Sequence, residues 1–154
     1  MLGCAIWVAS AGAFSEQARL ERAALALGGK SVLIVCESRT DFTAEGGDAD
    51  GLAFVGTTPM RIELSPRVCA ALLHPARSGG DFRMDEAIAV AVLAHEIGHA
   101  VKGPCEYLAE RFAMTHWRRL YRLLGLGKPT PEGIDAVRFG HDALPAVYRK
   151  PVCP

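Results

Sequence analysis

Apolar positions follow two rhythms along the chain: short runs in the first half and long helical stretches in the second. Residues 84–102 (MDEAIAVAVLAHEIGHAVK) are apolar almost without interruption. Ile88, Val90, Val92, Leu93, Ile97 and Val101 point in nearly every direction around a helix, so the pattern predicts a central helix rather than a superficial one. Asp85 and Glu86 in its first turn and Lys102 in its last suit the helix macrodipole. Gly103-Pro104 breaks it. A second helix is predicted over 104–124 (PCEYLAERFAMTHWRRLYRLL), and so short a connection makes the two helices antiparallel neighbours.

The first half reads differently. Residues 15–27 (SEQARLERAALAL) predict a helix capped by Ser15 and ended by Gly28-Gly29. Residues 31–36 (SVLIVC) are continuously apolar and β-branched, which predicts a buried strand. Residues 41–51 read as a polar loop. Residues 52–56 and 61–65 flank Thr57-Thr58-Pro59-Met60 and predict a hairpin, with Arg61-Ile62-Glu63-Leu64 alternating as a strand with one wet face. Ser65-Pro66 opens a short helix through Leu73. Residues 74–83 read as a loop containing His74, and 131–139 as one more short helix, with the remainder lying along the surface. The fold class expected is α+β: a small, mainly antiparallel sheet packed on the 84–102 helix and the antiparallel helix after it.

Length and composition narrow this picture. A chain of 154 residues suits one domain, 15–154, with enough core to fold. Residues 1–14 (MLGCAIWVASAGAF) form an apolar N-terminal segment resembling the tail half of a signal peptide, without the basic stretch of a complete one. Either the true start lies upstream and the protein is exported, or this is a short buried segment; the reading leans towards export. The formal net charge is +0. That removes any global argument for nucleic acid or an anionic membrane as partner. No run approaches the roughly 18 apolar residues that span a bilayer. The five cysteines contain no C-x-x-C pair.

The chemistry concentrates in His95-Glu96-Ile97-Gly98-His99. On a helix, residues i and i+4 share a face, so His95 and His99 project side by side, one turn apart. Two imidazoles so placed can grip one Zn²⁺ per chain, and Glu96, about 100° around the helix, can reach a water beside it. Burying two imidazoles and a carboxylate within five residues is costly unless something compensates, and a metal is the simplest compensation. A catalytic zinc wants three protein ligands and one open position. Glu106 and Glu110 lie at i and i+4 on the following helix. Glu106, in its first turn, comes back nearest His99 and is taken as the third ligand; Glu110, one turn deeper, is its rival, or the group that orients a ligating histidine. Cys105 stands where the longer H-E-x-x-H-x-x-G-x-x-H motif places a third histidine, but Lys102 occupies that motif's glycine position. His116 lines the cleft or faces solvent.

His95-Glu96-Ile97-Gly98-His99 followed by Glu106-x-x-Ala109-Glu110-x-Phe112-Ala113 resembles the short zinc peptidases of the gluzincin group. It is particularly similar to compact ImmA/IrrE-type metallopeptidases, whose second helix carries an E-x-E-A-N-x-F-A-like pattern. The resemblance spans about a third of the chain, roughly 61–117. It implies a minimal zincin-like fold and proteolysis, with His95, His99 and Glu106 as ligands, Glu96 as general base and Glu110 behind the ligands. The chain departs from the pattern in a shorter gap from His99 to Glu106, and in Glu110 where a shorter Asp or Asn stands.

The expected partner is therefore a peptide or protein substrate, extended along the strand 61–65 at a sheet edge. A Tyr or His donor would steady the oxyanion; Tyr107 and His116 are candidates, as are Tyr121, Tyr148 and His141. Two other readings stand beside this one. The first is a binding module with a structural zinc whose fourth position is closed by Glu106, Glu110 or Cys105. The second takes Arg118, Arg119 and Arg122 with Trp117 and Tyr121 as a nucleic-acid or membrane-facing stripe, against which stands a plain solvated helix face.

Overall fold

The computed structural model describes residues 11–37, 50–73 and 82–153. Six helices and three strands follow in the order α1 (Ala11–Gly28), β1 (Val32–Cys36), β2 (Gly51–Phe54), β3 (Met60–Leu64), α2 (Pro66–Leu73), α3 (Phe82–Lys102), α4 (Glu106–Leu123), α5 (Pro131–Ala143) and α6 (Ala146–Arg149). The class is α+β. Among the described residues no helix is long and apolar enough to cross a membrane.

The sheet is mixed rather than mainly antiparallel. Its order is β1-β3-β2, with β2 antiparallel and β1 parallel to β3. Parallel pairing puts the C-terminal ends of β1 and β3 on the same side, where α2 begins directly after β3. A disulfide from Cys36, at the end of β1, to Cys69 in α2 closes that corner. Among the described residues the helices cover one face of the sheet. Ile34, Ile62 and Leu64 are fully buried, whereas Leu33, inside a run expected to be buried throughout, is 40% exposed. β3 alternates as expected, with Arg61 on the wet face in an ion pair with Glu63 at 2.5 Å. Because β3 is the middle strand, it offers no edge to a substrate; among the described residues β2 is an edge strand and lies against α3.

α3 is the axis of the molecule. Ala87, Val90, Leu93, Ala94 and Ile97 have essentially no exposed surface, and the helix packs against α2, α4, α5, α1 and the sheet. It begins at Phe82, two residues before the expected start, so Glu86 falls beyond the first turn. Glu86 is buried and accepts the Tyr121 hydroxyl. Gly103 ends the helix in a left-handed conformation (φ +83°), a geometry glycine adopts without steric cost, its N–H donating to the His99 carbonyl. Arg19 of α1 donates to the carbonyls of Leu124 and Leu72, and Lys30 to that of Ala100.

Ser65 caps α2 by accepting from the Val68 N–H. Thr130 caps α5 with Pro131 in its first turn, and α5 runs to Ala143, four residues past the expected 139. The chain beyond it does more than line the surface. It turns into α6 and is fastened by a second disulfide, Cys105–Cys153. That bond removes Cys105 as a thiolate ligand. The apolar segment 1–14 lies outside the described residues up to residue 10, and 11–14 begin α1. Of the two expected loops, 41–49 and 74–81, with His74, lie outside the described residues; Gly51 opens β2, and 82–83 belong to α3.

The disulfides close segments of 33 and 48 residues, loops for which chain entropy alone supplies about 4 kcal/mol each. Replacing Cys36 and Cys69 together by alanine is expected to lower the unfolding free energy by about 2–4 kcal/mol in urea denaturation. A loss below about 1 kcal/mol would contradict this bridge.

Candidate metal centre

The turn between α3 and α4 builds the site. Three residues separate the helices, so the first turn of α4 faces the last turn of α3. Gly98 sets how closely they approach. A Cβ there would stand 2.7 Å from the Ala109 carbonyl oxygen and 2.8 Å from its Cα, so backbone rests on backbone. This contact brings Glu106 to both imidazoles, slightly nearer His95 than the expected His99, and Glu110 to His95.

Each histidine is oriented by a bond from its other ring nitrogen. His95 Nδ1 lies 2.8 Å from Glu110 Oε2, and His99 Nδ1 lies 3.0 Å from the Gly103 carbonyl. A carbonyl and a carboxylate only accept, so both Nδ1 atoms carry the proton and both neutral rings present a lone pair at Nε2. These lone pairs converge. His95 Nε2 is 3.1 Å from His99 Nε2 and 3.1 Å from Glu106 Oε2, which is 3.4 Å from His99 Nε2. Tetrahedral ligands about 2.0–2.1 Å from one ion lie about 3.3 Å apart. Three electron-pair donors at that spacing repel unless a cation sits among them. The group His95, His99 and Glu106 can therefore hold a metal ion.

The charges agree. Burial pulls the His95 imidazole down, but hydrogen bonds with Glu106 and Glu110 outweigh it and raise the pKa to about 9. Burial lowers His99 as well, but hydrogen bonds with Glu106 and the Gly103 carbonyl prevail and raise it, while hydrogen bonds with both rings hold Glu106 at about 2. Without a metal the cluster takes up a proton; a divalent cation replaces it. Glu110 is pushed up by burial, but His95 and His141 prevail and leave it lowered.

Glu96 is almost wholly enclosed, and burial raises its pKa despite the two imidazoles. Its side chain lies against Gly51 of β2, where an added Cβ would come within 2.8 Å of Glu96 Oε1. Asp50 holds that end of β2. Its carbonyl accepts from the Ser65 N–H, and its carboxylate from the Ser65 hydroxyl at 3.0 Å and Arg67 at 2.5 Å.

A cavity of about 280 Å³ opens beside Glu96, with His95, Glu110, His141 and Tyr148 at its polar end. His141 of α5 donates from Nδ1 to Glu110 Oε1 at 2.6 Å, so Glu110 bridges two imidazoles. The Tyr148 ring centroid is 5.6 Å from that of His95. Burial, then Glu106, Glu96 and Glu110, raise the Tyr148 pKa, so its hydroxyl keeps its proton. Tyr107 and His116 lie elsewhere: Tyr107 pairs with Arg111 and His116 stacks on Phe112, and neither lines the cavity. Trp117 and Tyr121 are buried in the core, so α4 presents no aromatic stripe beside Arg118, Arg119 and Arg122. Gly51, His141 and Tyr148 come from sequence positions far from α3; His141 and Tyr148 were among the candidate donors named from sequence, whereas nothing there singled out Gly51.

Neither protein-family models, nor curated proteins, nor solved structures match this chain.

Two substitutions probe the geometry. Gly98→Ala forces α3 and α4 apart and is expected to cost about 1–3 kcal/mol of stability, measured in urea, together with metal retention; a variant as stable and as well loaded as wild type would contradict the backbone contact. Glu110→Gln keeps the shape behind His95 but removes the charge. Its affinity for Co²⁺, titrated by absorbance, should fall about 10- to 100-fold while saturation stays at one ion per chain.

Proposed function

We propose that the protein is a zinc-dependent metallopeptidase with a minimal zincin-like fold, holding one Zn²⁺ on His95, His99 and Glu106. The observation that carries this reading is the convergence of three ligand atoms at tetrahedral spacing beside a buried carboxylate. Two nitrogens and an oxygen suit zinc. Among the described residues the ligand group has three members, and Cys105 is committed to a disulfide. An open fourth position favours catalysis over a structural zinc.

Zinc bound there would polarise the scissile carbonyl and acidify a water molecule. Glu96 takes the proton from that water and passes it to the leaving amine. Its burial suits the task, because a raised pKa makes the carboxylate a stronger proton acceptor. The Tyr148 hydroxyl donates a hydrogen bond to the oxygen that develops negative charge, the role considered above for Tyr107 and His116. Glu110, supported by His141, holds His95 in the tautomer that ligation needs. β2, an edge strand among the described residues with Gly51 against Glu96, supplies backbone groups for an extended peptide. The two disulfides support an oxidising compartment, in keeping with the lean towards export.

The test is to measure zinc content and cleavage of an unstructured protein together. Glu96→Gln should retain zinc and lose about 10²- to 10⁴-fold in rate, whereas Glu106→Gln should lose zinc and activity alike. Cleavage by Glu96→Gln at the wild-type rate, or none by zinc-loaded wild type, would overturn the proposal.

A further inference from the structure

The cavity beside Glu96 has a polar rim and an apolar interior. Ala91 and Val92 of α3, Met114 of α4, Ala136 and Val137 of α5, and Leu144 form its walls. Its volume of about 280 Å³ lies just below the range of sites that enclose whole small molecules, and it accommodates a single side chain. Protein interiors otherwise pack to crystal-like density. Here the space persists because small residues stand where larger ones would fill it: Ala91, Ala136 and Gly140 all border it. A Cβ added at Gly140 meets no atom within 4 Å, and its backbone lies in an ordinary helix, so nothing conformational requires glycine there.

We infer that this cavity is a specificity pocket taking an apolar side chain, of leucine, methionine or phenylalanine size, from a residue flanking the scissile bond. The inference rests on the peptidase reading of the site. Seating such a side chain removes its apolar surface from water. An acidic side chain would meet Glu96, Glu110 and Asp50 at the rim. A basic one would have only Glu96 to pair with, the carboxylate the proposed reaction uses, because Asp50 is paired with Arg67 and Glu110 with two imidazoles. Glycine would leave the walls uncovered. A leucine-for-glycine exchange at the flanking position should then change kcat/KM by about 10- to 100-fold.

Gly140→Leu and Ala136→Phe add bulk at two positions that border the pocket, and a Cβ at position 140 meets no atom within 4 Å. New termini in a digest of casein by the zinc-loaded protein should be flanked by Leu, Met or Phe about 10- to 100-fold more often than by Gly. Both variants should shift that preference towards Gly and Ala. Independently of turnover, N-acetyl-leucinamide, but not N-acetyl-glycinamide, should move the methyl NMR signals of Val92, Met114, Val137 and Leu144 in the full chain, with or without zinc. Gly140→Leu should abolish the effect. Cleavage with no apolar preference, or with a preference unchanged in both variants, would overturn the pocket and leave the peptidase reading standing. Leucinamide binding that Gly140→Leu abolishes, with no cleavage by wild type, would uphold a pocket for apolar side chains and overturn the peptidase reading.

Discussion

Three electron pairs aimed at one point are the constraint on which the rest of this structure depends. The nitrogens of His95 and His99 and an oxygen of Glu106 approach within 3.1–3.4 Å of one another. The two imidazoles are each held there by a bond from the other ring nitrogen. His99 is bound to the carbonyl of Gly103, the residue that ends its own helix. His95 is bound to Glu110, and Glu110 to His141. Rings locked in this way have one tautomer and one direction, and only a proton or a metal ion satisfies them together.

The architecture around the site serves that arrangement. A helix buried on all sides supplies the imidazoles, and its rigidity keeps the ligands at fixed separation. The contact of Gly98 on Ala109 sets the depth at which α4 presents its two glutamates. The Asp50 corner places Gly51 over Glu96, which excludes water from one side of that carboxylate and leaves its other side on the cavity. The tail, bonded through Cys153 to the residue just before Glu106, brings Tyr148 to the cavity.

Much of this was legible because it is local. The spacing of His95 and His99, the break at Gly103-Pro104 and the first-turn position of Glu106 all follow from helix periodicity across a short turn, so the sequence sufficed to bring the three ligands into one neighbourhood. The places of Glu106 and Glu110 relative to the imidazoles were harder, since they depend on the close backbone approach at Gly98. The mixed class was readable, but the parallel pairing of β1 was not, because strand direction is decided by connections and a disulfide rather than by the apolar run of 31–36. That run also suggested two covered faces, whereas Leu33 within it is 40% exposed. His141 and Tyr148 lie 42 and 49 positions beyond His99 in sequence. Only tertiary packing brings them to Glu110 and the cavity, and no periodicity marks them. Helix α4 shows the opposite limit: its arginines and aromatics look like one stripe in sequence, but packing divides them between solvent and core.

X-ray absorption at the zinc K-edge of the metal-loaded protein tests the central claim most directly. The account predicts two histidine nitrogens and one carboxylate oxygen at about 2.0–2.2 Å, with a further light-atom ligand and no sulfur. A sulfur shell at about 2.3 Å, a single imidazole, or no bound zinc would contradict it.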